Sequence, residues 1–350
     1  MFVKKNLIAV AALATLAVSA QAQSSVTLYG NLDAALAYSK VKQGGSSESV
    51  NSVESSILTE SFFGLKGQED LGGGLKAVFK LESFIDADTG STGTSNFWGK
   101  NAYVGLAGDF GTVALGNQES LFKLQGNAFN PFGASSLLST TNVLFTGLTG
   151  LGGSWQNTVG YTSANLSGLT LSAQHSAKEG AKATATNYNG NATAVAANYV
   201  AGPLAASLVY GDVRSTTASA TDTRQRAYLL GASYDFGVVK AFAQYGQDKV
   251  EVKNEAGSDK AKFYQLGAVV PVSQAGSVHA SFGQTKVEGF KTHQFSLAYN
   301  HALSKRTGVY AGVTYIKDDI LGRLIAEEEE AAYAGKTKTT AVAVGLRHAF

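Results

Sequence analysis

The chain has no cysteine and only three prolines in 350 residues. Without cysteine there is no disulfide framework and no thiolate metal site. Charged residues are sparse at 15%, against about 25% in ordinary soluble proteins. The formal charge of +2 rests on Lys4 and Lys5 in a leader, so the remainder holds 26 cations and 26 anions. No basic excess is left to suggest a nucleic-acid partner. After residue 22 no apolar run reaches the length of about 18 residues that a membrane helix needs, which excludes a helical membrane protein.

The opening of the chain is a separate matter. Lys4 and Lys5 precede the apolar run Leu7 to Ala20, and Ala20-Gln21-Ala22 has the small-x-small form of a cleavage site. Residues 1–22 read as a cleaved secretory signal peptide, too short to span a bilayer. Residues 23–350 then form one unit. Export without a helical span leaves a soluble exported β-protein or an outer-membrane barrel.

Alternation decides between them. In Thr27–Ser39, Leu28, Leu32, Ala34 and Leu36 share one parity, and Tyr29, Asn31 and Asp33 share the other. Side chains alternate across a strand, so these are two faces. Ile57–Gln68 repeats the pattern, with Phe63 and Leu65 facing out and Glu60, Lys66 and Gln68 facing in. In the third segment, Leu75, Ala77, Phe79 and Leu81 oppose Lys76, Lys80 and Glu82. Sixteen such segments can be counted to Thr339–Phe350, the fourth near Asn96–Ala107 and the sixth from Gln156. Short turns such as Glu69–Gly74 alternate with longer polar stretches such as Lys42–Ser56. The expectation is an all-β fold, a 16-stranded antiparallel transmembrane β-barrel that closes first strand on last. Recurrent tyrosine and phenylalanine, 15 and 18 of them, suit aromatic girdles.

One stretch refuses the pattern. From Glu119 to Trp155 there is no sustained alternation, and so long an irregular run inside an ordered domain is usually functional or disordered.

Several motifs carry a resemblance. Val26-Thr27-Leu28-Tyr29-Gly30, Gly64-Leu65-Lys66-Gly67-Gln68-Glu69-Asp70-Leu71-Gly72 and Ala102-Tyr103-Val104-Gly105-Leu106 are three of them. The terminal Val344-Gly345-Leu346-Arg347-His348-Ala349-Phe350 is the fourth. Over its whole mature length the chain resembles the trimeric general porins of Gram-negative outer membranes, in the β-proteobacterial branch. The resemblance implies passive diffusion of ions and small hydrophilic solutes, a homotrimer, contact with outer-membrane lipid and lipopolysaccharide, and no cofactor. It implies that Val344, Leu346 and Phe350 form the signal read by the outer-membrane assembly machinery. It also implies that residues 119–155 are the third extracellular loop, folded inward as the constriction, with Asn130-Pro131-Phe132-Gly133 as its partly matched motif.

The family's constriction places basic side chains on the wall against an acidic loop. Here the matching positions hold Asn31, Phe62, Lys100 and Gln156, so one cation stands where several are expected. Within 120–155 the only charge is Lys123, with Glu119 just before. The expected constriction is therefore Asn31, Phe62, Lys100, Gln156, Glu119 and Phe132, with Phe122, Phe129 and Phe145 as further lining. The expected lumen wall is Asp33, Glu60, Lys66, Lys80 and Glu82. Facing rings of opposite charge make a strong transverse field, and this set makes a weak one. Weak ion selectivity follows. Aromatics along the pore leave open a channel specific for sugars or small aromatic solutes, and a surface adhesin is the more distant rival.

Catalysis and metal binding find little support. The five histidines have no convincing serine partner, His175, His293, His301 and His348 share parity with apolar residues, and no metal-ligand spacing occurs. The Glu327–Glu330 run reads as a solvated extracellular face.

Overall fold

The computed structural model describes residues 25–144, 150–177, 191–216, 222–253, 257–319 and 336–350. The expected signal peptide, Phe145 and the Glu327–Glu330 run lie outside them. Among the described residues every strand belongs to one sheet of seventeen segments, each paired antiparallel. Strand β1 (Ser25–Gln43) meets β17 (Thr337–Ala349) in a register running from Asn31 opposite Ala349 to Lys42 opposite Lys338. The sheet therefore closes on itself and has no free edge, which is what a lipid environment requires of strands.

On its other side β1 carries two segments in line. Strand β2 (Ser46–Ser55) pairs with its second half, and β3 (Phe62–Gly72) with its first. The two share one stave, so seventeen segments make a 16-stranded barrel. This corrects the sequence expectation at two places. Residues Lys42–Ser56 are a hairpin rather than a loop, turning at Gly44 and Gly45, both at positive φ. The strand expected from Ile57 begins at Phe62. β2 escaped notice because serines occupy both of its faces.

The remaining staves are β4 (Leu75–Phe84), β5 (Asn101–Gly108), β6 (Gly111–Glu119), β7 (Ser154–Thr162) and β8 (Leu169–Ser176). They continue through β9 (Ala192–Ala201), β10 (Leu204–Thr216), β11 (Asp222–Asp235) and β12 (Lys240–Val252). The last are β13 (Asp259–Pro271), β14 (Gly276–Val287), β15 (Phe290–Ala302) and β16 (Thr307–Asp318). β5 starts at Asn101 instead of Asn96, so Lys100 stands just outside the ladder.

Burial confirms the two faces. Leu28, Leu36, Val104, Leu266 and Val344 are exposed, while Asp33, Gln265, Gln294 and Thr314 are buried. In a closed sheet the exposed apolar face is the outside, and the buried polar face is the inside. Exposed rings gather in two belts, one near the short turns (Phe110, Tyr161, Tyr234, Tyr299) and one farther along (Tyr210, Tyr245, Phe295, Tyr315). That is the girdle pattern of a barrel with two membrane interfaces.

The seam is locked by the last residue. Gly30 N–H donates to the Phe350 carbonyl at 3.2 Å, and Phe350 N–H returns a bond to Gly30 at 3.1 Å. The Phe350 ring lies where a Cβ at position 30 would stand, 2.5 Å away. Only glycine leaves room for it.

Candidate functional site

The segment after β6 is more ordered than its sequence suggests. Helix α1 (Leu121–Ala128) begins at Ser120, whose hydroxyl accepts from Lys123 N–H at 3.1 Å as an N-cap. A single turn, α2 (Thr141–Leu144), follows. Capping serine and Glu119–Lys123 spacing were the signals, but the helix is too short for periodicity to reveal it.

The body of this segment is held by neutral amides on the buried strand faces. Gln174 on β8 donates to the Glu119 carbonyl at 3.0 Å and accepts from Leu121 N–H at 3.0 Å. Gln244 on β12 donates to Gly126 O at 3.0 Å, and Gln265 on β13 to Phe129 O at 2.9 Å. The Gln265 carbonyl also accepts from the Thr140 hydroxyl at 2.8 Å. Thr285 on β14 reaches Val143 O, and Gln294 on β15 reaches Leu137 O. A glutamine can donate and accept at once, so a few of them satisfy backbone groups that would otherwise be buried without partners.

Between the glutamines lie notches. The Phe122 ring sits over Gly211 and the Phe129 ring over Gly231, where an added Cβ would come within 2.7 and 2.6 Å of them. Pro131, Thr140 and Leu138 lie likewise over Gly267, Gly283 and Gly312. His279 on β14 fixes the tip: its Nδ1 donates to the Pro131 carbonyl at 2.8 Å, and its Nε2 accepts from Asn300 at 3.1 Å. His279 was not among the expected site residues, and its parity with Ser281 and Thr285 was the available clue.

The root of the segment is charged. Lys100 donates to Glu60 at 2.7 Å and to Glu119 at 2.8 Å. Lys123, on α1, bridges the same two carboxylates at 2.8 and 3.1 Å. Asn101 donates to Glu82 at 2.5 Å and to Glu119 at 3.1 Å, while Tyr29 O–H donates to Glu82 and Lys80 pairs with it at 3.1 Å. The rings of Phe62 and Phe84 lie 5.3 and 5.1 Å from the Lys100 ammonium. Burial works against the charge of Lys100, but Glu60 and Glu119 outweigh it and hold its pKa above the ordinary lysine value. The cluster contains three carboxylates (Glu60, Glu82, Glu119) and three ammonium groups (Lys80, Lys100, Lys123), so its charges cancel.

Of the expected constriction residues, Phe62, Lys100 and Glu119 come together here, and Asn31 joins them through Glu60, whose backbone carbonyl its amide reaches at 3.2 Å. Glu60, Lys80 and Glu82 from the expected wall belong to the same cluster, and Lys66 stands above the Tyr29 ring at 4.5 Å. Lys123, Tyr29 and Asn101 were missing from the expectation.

Three residues are elsewhere. Gln156 is exposed on the outer face, and Trp155 takes the inward position, its Nε1–H donating to Gly150 O at 2.8 Å. The cause is a bulge opposite Gly116–Gln118, with Asn157 at φ 51°, which shifts the parity of β7. Phe132 is 4% exposed and packs against the His279 ring, with only its edge on a cavity, and Phe122 and Phe129 are likewise buried. Asp33 is fully buried rather than on a solvated wall. It accepts from Leu58 and Thr59 N–H at 3.0 and 2.8 Å and from Tyr310 O–H at 2.6 Å, and so pins the break between β2 and β3. Below that break a cavity of about 440 Å³ is lined by Thr59, Phe132, Asn300 and Arg347. The terminal Val344, Leu346 and Phe350 all face outward and are exposed.

Comparison with known proteins agrees with this architecture. A family model described as Gram-negative porin matches residues 9–321. Outer membrane porin protein 32 of Delftia acidovorans is 34% identical over 99% of this chain and 100% of its own. An outer membrane porin protein of Bordetella pertussis is 32% identical over the same shares. Among solved structures, the anion-selective porin from Comamonas acidovorans superposes with a TM-score of 0.80 at 30% identity, covering 94% of this chain and 100% of that one. The chain thus belongs to the Gram-negative porin family, and its place is the outer membrane.

Proposed function

We propose that the protein forms a water-filled channel for passive diffusion of ions and small hydrophilic solutes, narrowed by residues 119–155, with weak ion selectivity. It acts as a channel rather than an enzyme. The observation that carries the weak selectivity is the cancellation of charge around Glu60, Lys100, Glu119 and Lys123. Charges that pair with each other at 2.7 to 3.1 Å leave little field for a passing ion. Beyond the cluster, Lys76 and Lys240 stand opposite Asp70 and Asp235 across their strand pairs, and Glu48 and Glu54 share the inward parity with Lys66 and Arg347, so no large excess of either sign remains. The Comamonas relative is, by its name, anion-selective.

The burial of Phe122 and Phe129 against the barrel wall speaks against the alternative of an aromatic path for one class of solute. A homotrimer, contact with outer-membrane lipid and lipopolysaccharide, and recognition of Val344, Leu346 and Phe350 by the assembly machinery belong to the same reading. The test is the reversal potential of the purified protein in a planar bilayer under a salt gradient. A reversal potential close to zero is expected. A strong selectivity of either sign would mean that other charges crowd the narrowest point, and no conductance in folded protein would end the channel reading.

A further inference from the structure

The inner wall keeps one cation that the carboxylate opposite does not engage. Arg347 on β17 shares inward parity with buried Ala341 and Ala343, and it stands opposite Asp33 on β1 and Gly308 on β16. Asp33 is turned away from it. Its Oδ2 accepts from Leu58 and Thr59 N–H, and its Oδ1 accepts from Tyr310 O–H, so both oxygens are occupied within the fold. Arg347 makes no ion pair among the described residues. The glycine across from it gives its side chain room: a Cβ at position 308 would stand 3.6 Å from Arg347 Nε.

Arg347 lines the cavity of about 440 Å³ below the break between β2 and β3. That volume lies in the range of about 300–1,000 Å³ usual for small-ligand sites. Ala275, Ala302 and Gly308 flank short turns and place the cavity at that end of the lumen. Pro131 and Phe132, from the tip of the segment after β6, close its other side. No aspartate, glutamate or lysine is in the lining among the described residues. His279 brings no charge there. With its Nδ1–H given to the Pro131 carbonyl, its Nε2 accepts from the Ser277 hydroxyl at 2.9 Å and from Asn300, so the ring is neutral. One guanidinium therefore faces the apolar surfaces of Leu58, Pro131 and the Phe132 edge.

A guanidinium holds a carboxylate through two parallel charge-assisted hydrogen bonds. A single cation matches a single carboxylate. A second one would meet Leu58 and Pro131 and lose its hydration without a partner. We propose that this cavity binds a small monocarboxylate with an apolar body, such as an aromatic acid, with its carboxylate on Arg347 and its body against Leu58, Pro131 and Phe132. The proposal rests on the channel reading for the solute's route. It names a class of solute that is held at one subsite on the short-turn side of the segment, and Phe122 and Phe129 take no part in it.

The test uses the full-length protein in detergent at fixed ionic strength and neutral pH. Binding is measured by ligand-observed NMR with benzoate, benzamide and acetate. Benzoate should bind at least about ten-fold more tightly than benzamide, which keeps the ring and lacks the charge. It should exceed acetate, which keeps the charge and lacks the ring, by a similar factor of about ten. Arg347→Gln should abolish the preference over benzamide, and Arg347→Lys should retain part of it. Lys76→Gln, which removes an inward cation on another stave, should keep it whole. If the Arg347 variants do not fold, Ala134→Leu serves: it fills the cavity from the segment and should weaken benzoate binding about ten-fold or more. Benzamide or acetate binding as tightly as benzoate would overturn the proposal. So would a preference that survives Arg347→Gln, one that is lost in Lys76→Gln, or undiminished binding in Ala134→Leu. Chloride conductance of the wild type in a planar bilayer separates the two readings. Benzoate binding without conductance would end the channel reading and leave the subsite, whereas conductance without a preference for benzoate would end the subsite alone.

Discussion

The segment between β6 and β7 is held by two different chemistries. Its root, Glu119 to Lys123, is tied to Glu60 and Lys100 by ion pairs. Its body, from Leu121 to Val143, is tied to β8 and β12–β15 by neutral amides and hydroxyls and by rings seated over glycines. Both fastenings satisfy buried groups, but only the first shapes the electric field. The difference suggests a division of labour: amides fix the segment's position without adding charge, and the ion pairs gather at its root. Changes at the root should alter selectivity, and changes in the body should alter steadiness and stability.

The largest effect is expected at the root. Glu60→Gln combined with Glu119→Gln leaves Lys100 and Lys123 without counter-charges. The reversal potential should move well to the anion side, with Glu60→Gln alone in between. Removing one partner of a buried pair costs about 3–5 kcal/mol, so the barrel should also unfold at lower denaturant. An unchanged reversal potential in a folded double variant would show that the cluster lies away from the narrowest point.

In the body, Gln265→Leu strips the Phe129 carbonyl and the Thr140 hydroxyl of a partner. Each buried group left unpaired costs about 1–3 kcal/mol. Single-channel records should become noisier as the segment loosens, while the reversal potential stays where it was. If selectivity shifted as much as with the glutamate variants, the two fastenings would not be separable.

Gly231→Ala is a smaller perturbation of the same region. The new methyl would stand 2.6 Å from the Phe129 ring, and overpacking of this kind costs about 1–3 kcal/mol. Adding Phe129→Leu should recover part of the loss in thermal unfolding. No recovery would mean that the strain is taken up by the backbone of β11 and not by the ring.

The barrel was legible in the sequence because a period of two leaves its mark on every stave, and because closure follows from what lipid denies to strand edges. Charge sparsity pointed the same way. The fastening of the segment was not legible. An inward glutamine such as Gln244 or Gln265 looks like any lumen residue until the chain it holds is placed beside it. Phenylalanines 122, 129 and 132 suggested lining because burial inside a polar lumen has no signature in sequence. Asp33 was read as a wall residue because its partners, Leu58, Thr59 and Tyr310, come from a break in one stave and from a distant strand. The sequence fails most plainly at β7, where simple alternation crosses a bulge.

That failure yields the smallest and most specific prediction. Alternation alone puts Gln156 in the lumen, whereas Asn157 at φ 51° and the shift opposite Gly116–Gln118 turn it outward and bring Trp155 in. Gln156→Lys should then leave the reversal potential unchanged, since a lysine on the outer face can extend its ammonium toward the headgroups. Trp155→Phe should cost only the bond from Nε1 to the Gly150 carbonyl, about 0.5–1.5 kcal/mol. A lysine at 156 that shifted selectivity toward anions would restore the unbroken alternation of β7. It would also return position 156 to the charged root, and with it the comparison between the two fastenings would have to include a fourth wall strand.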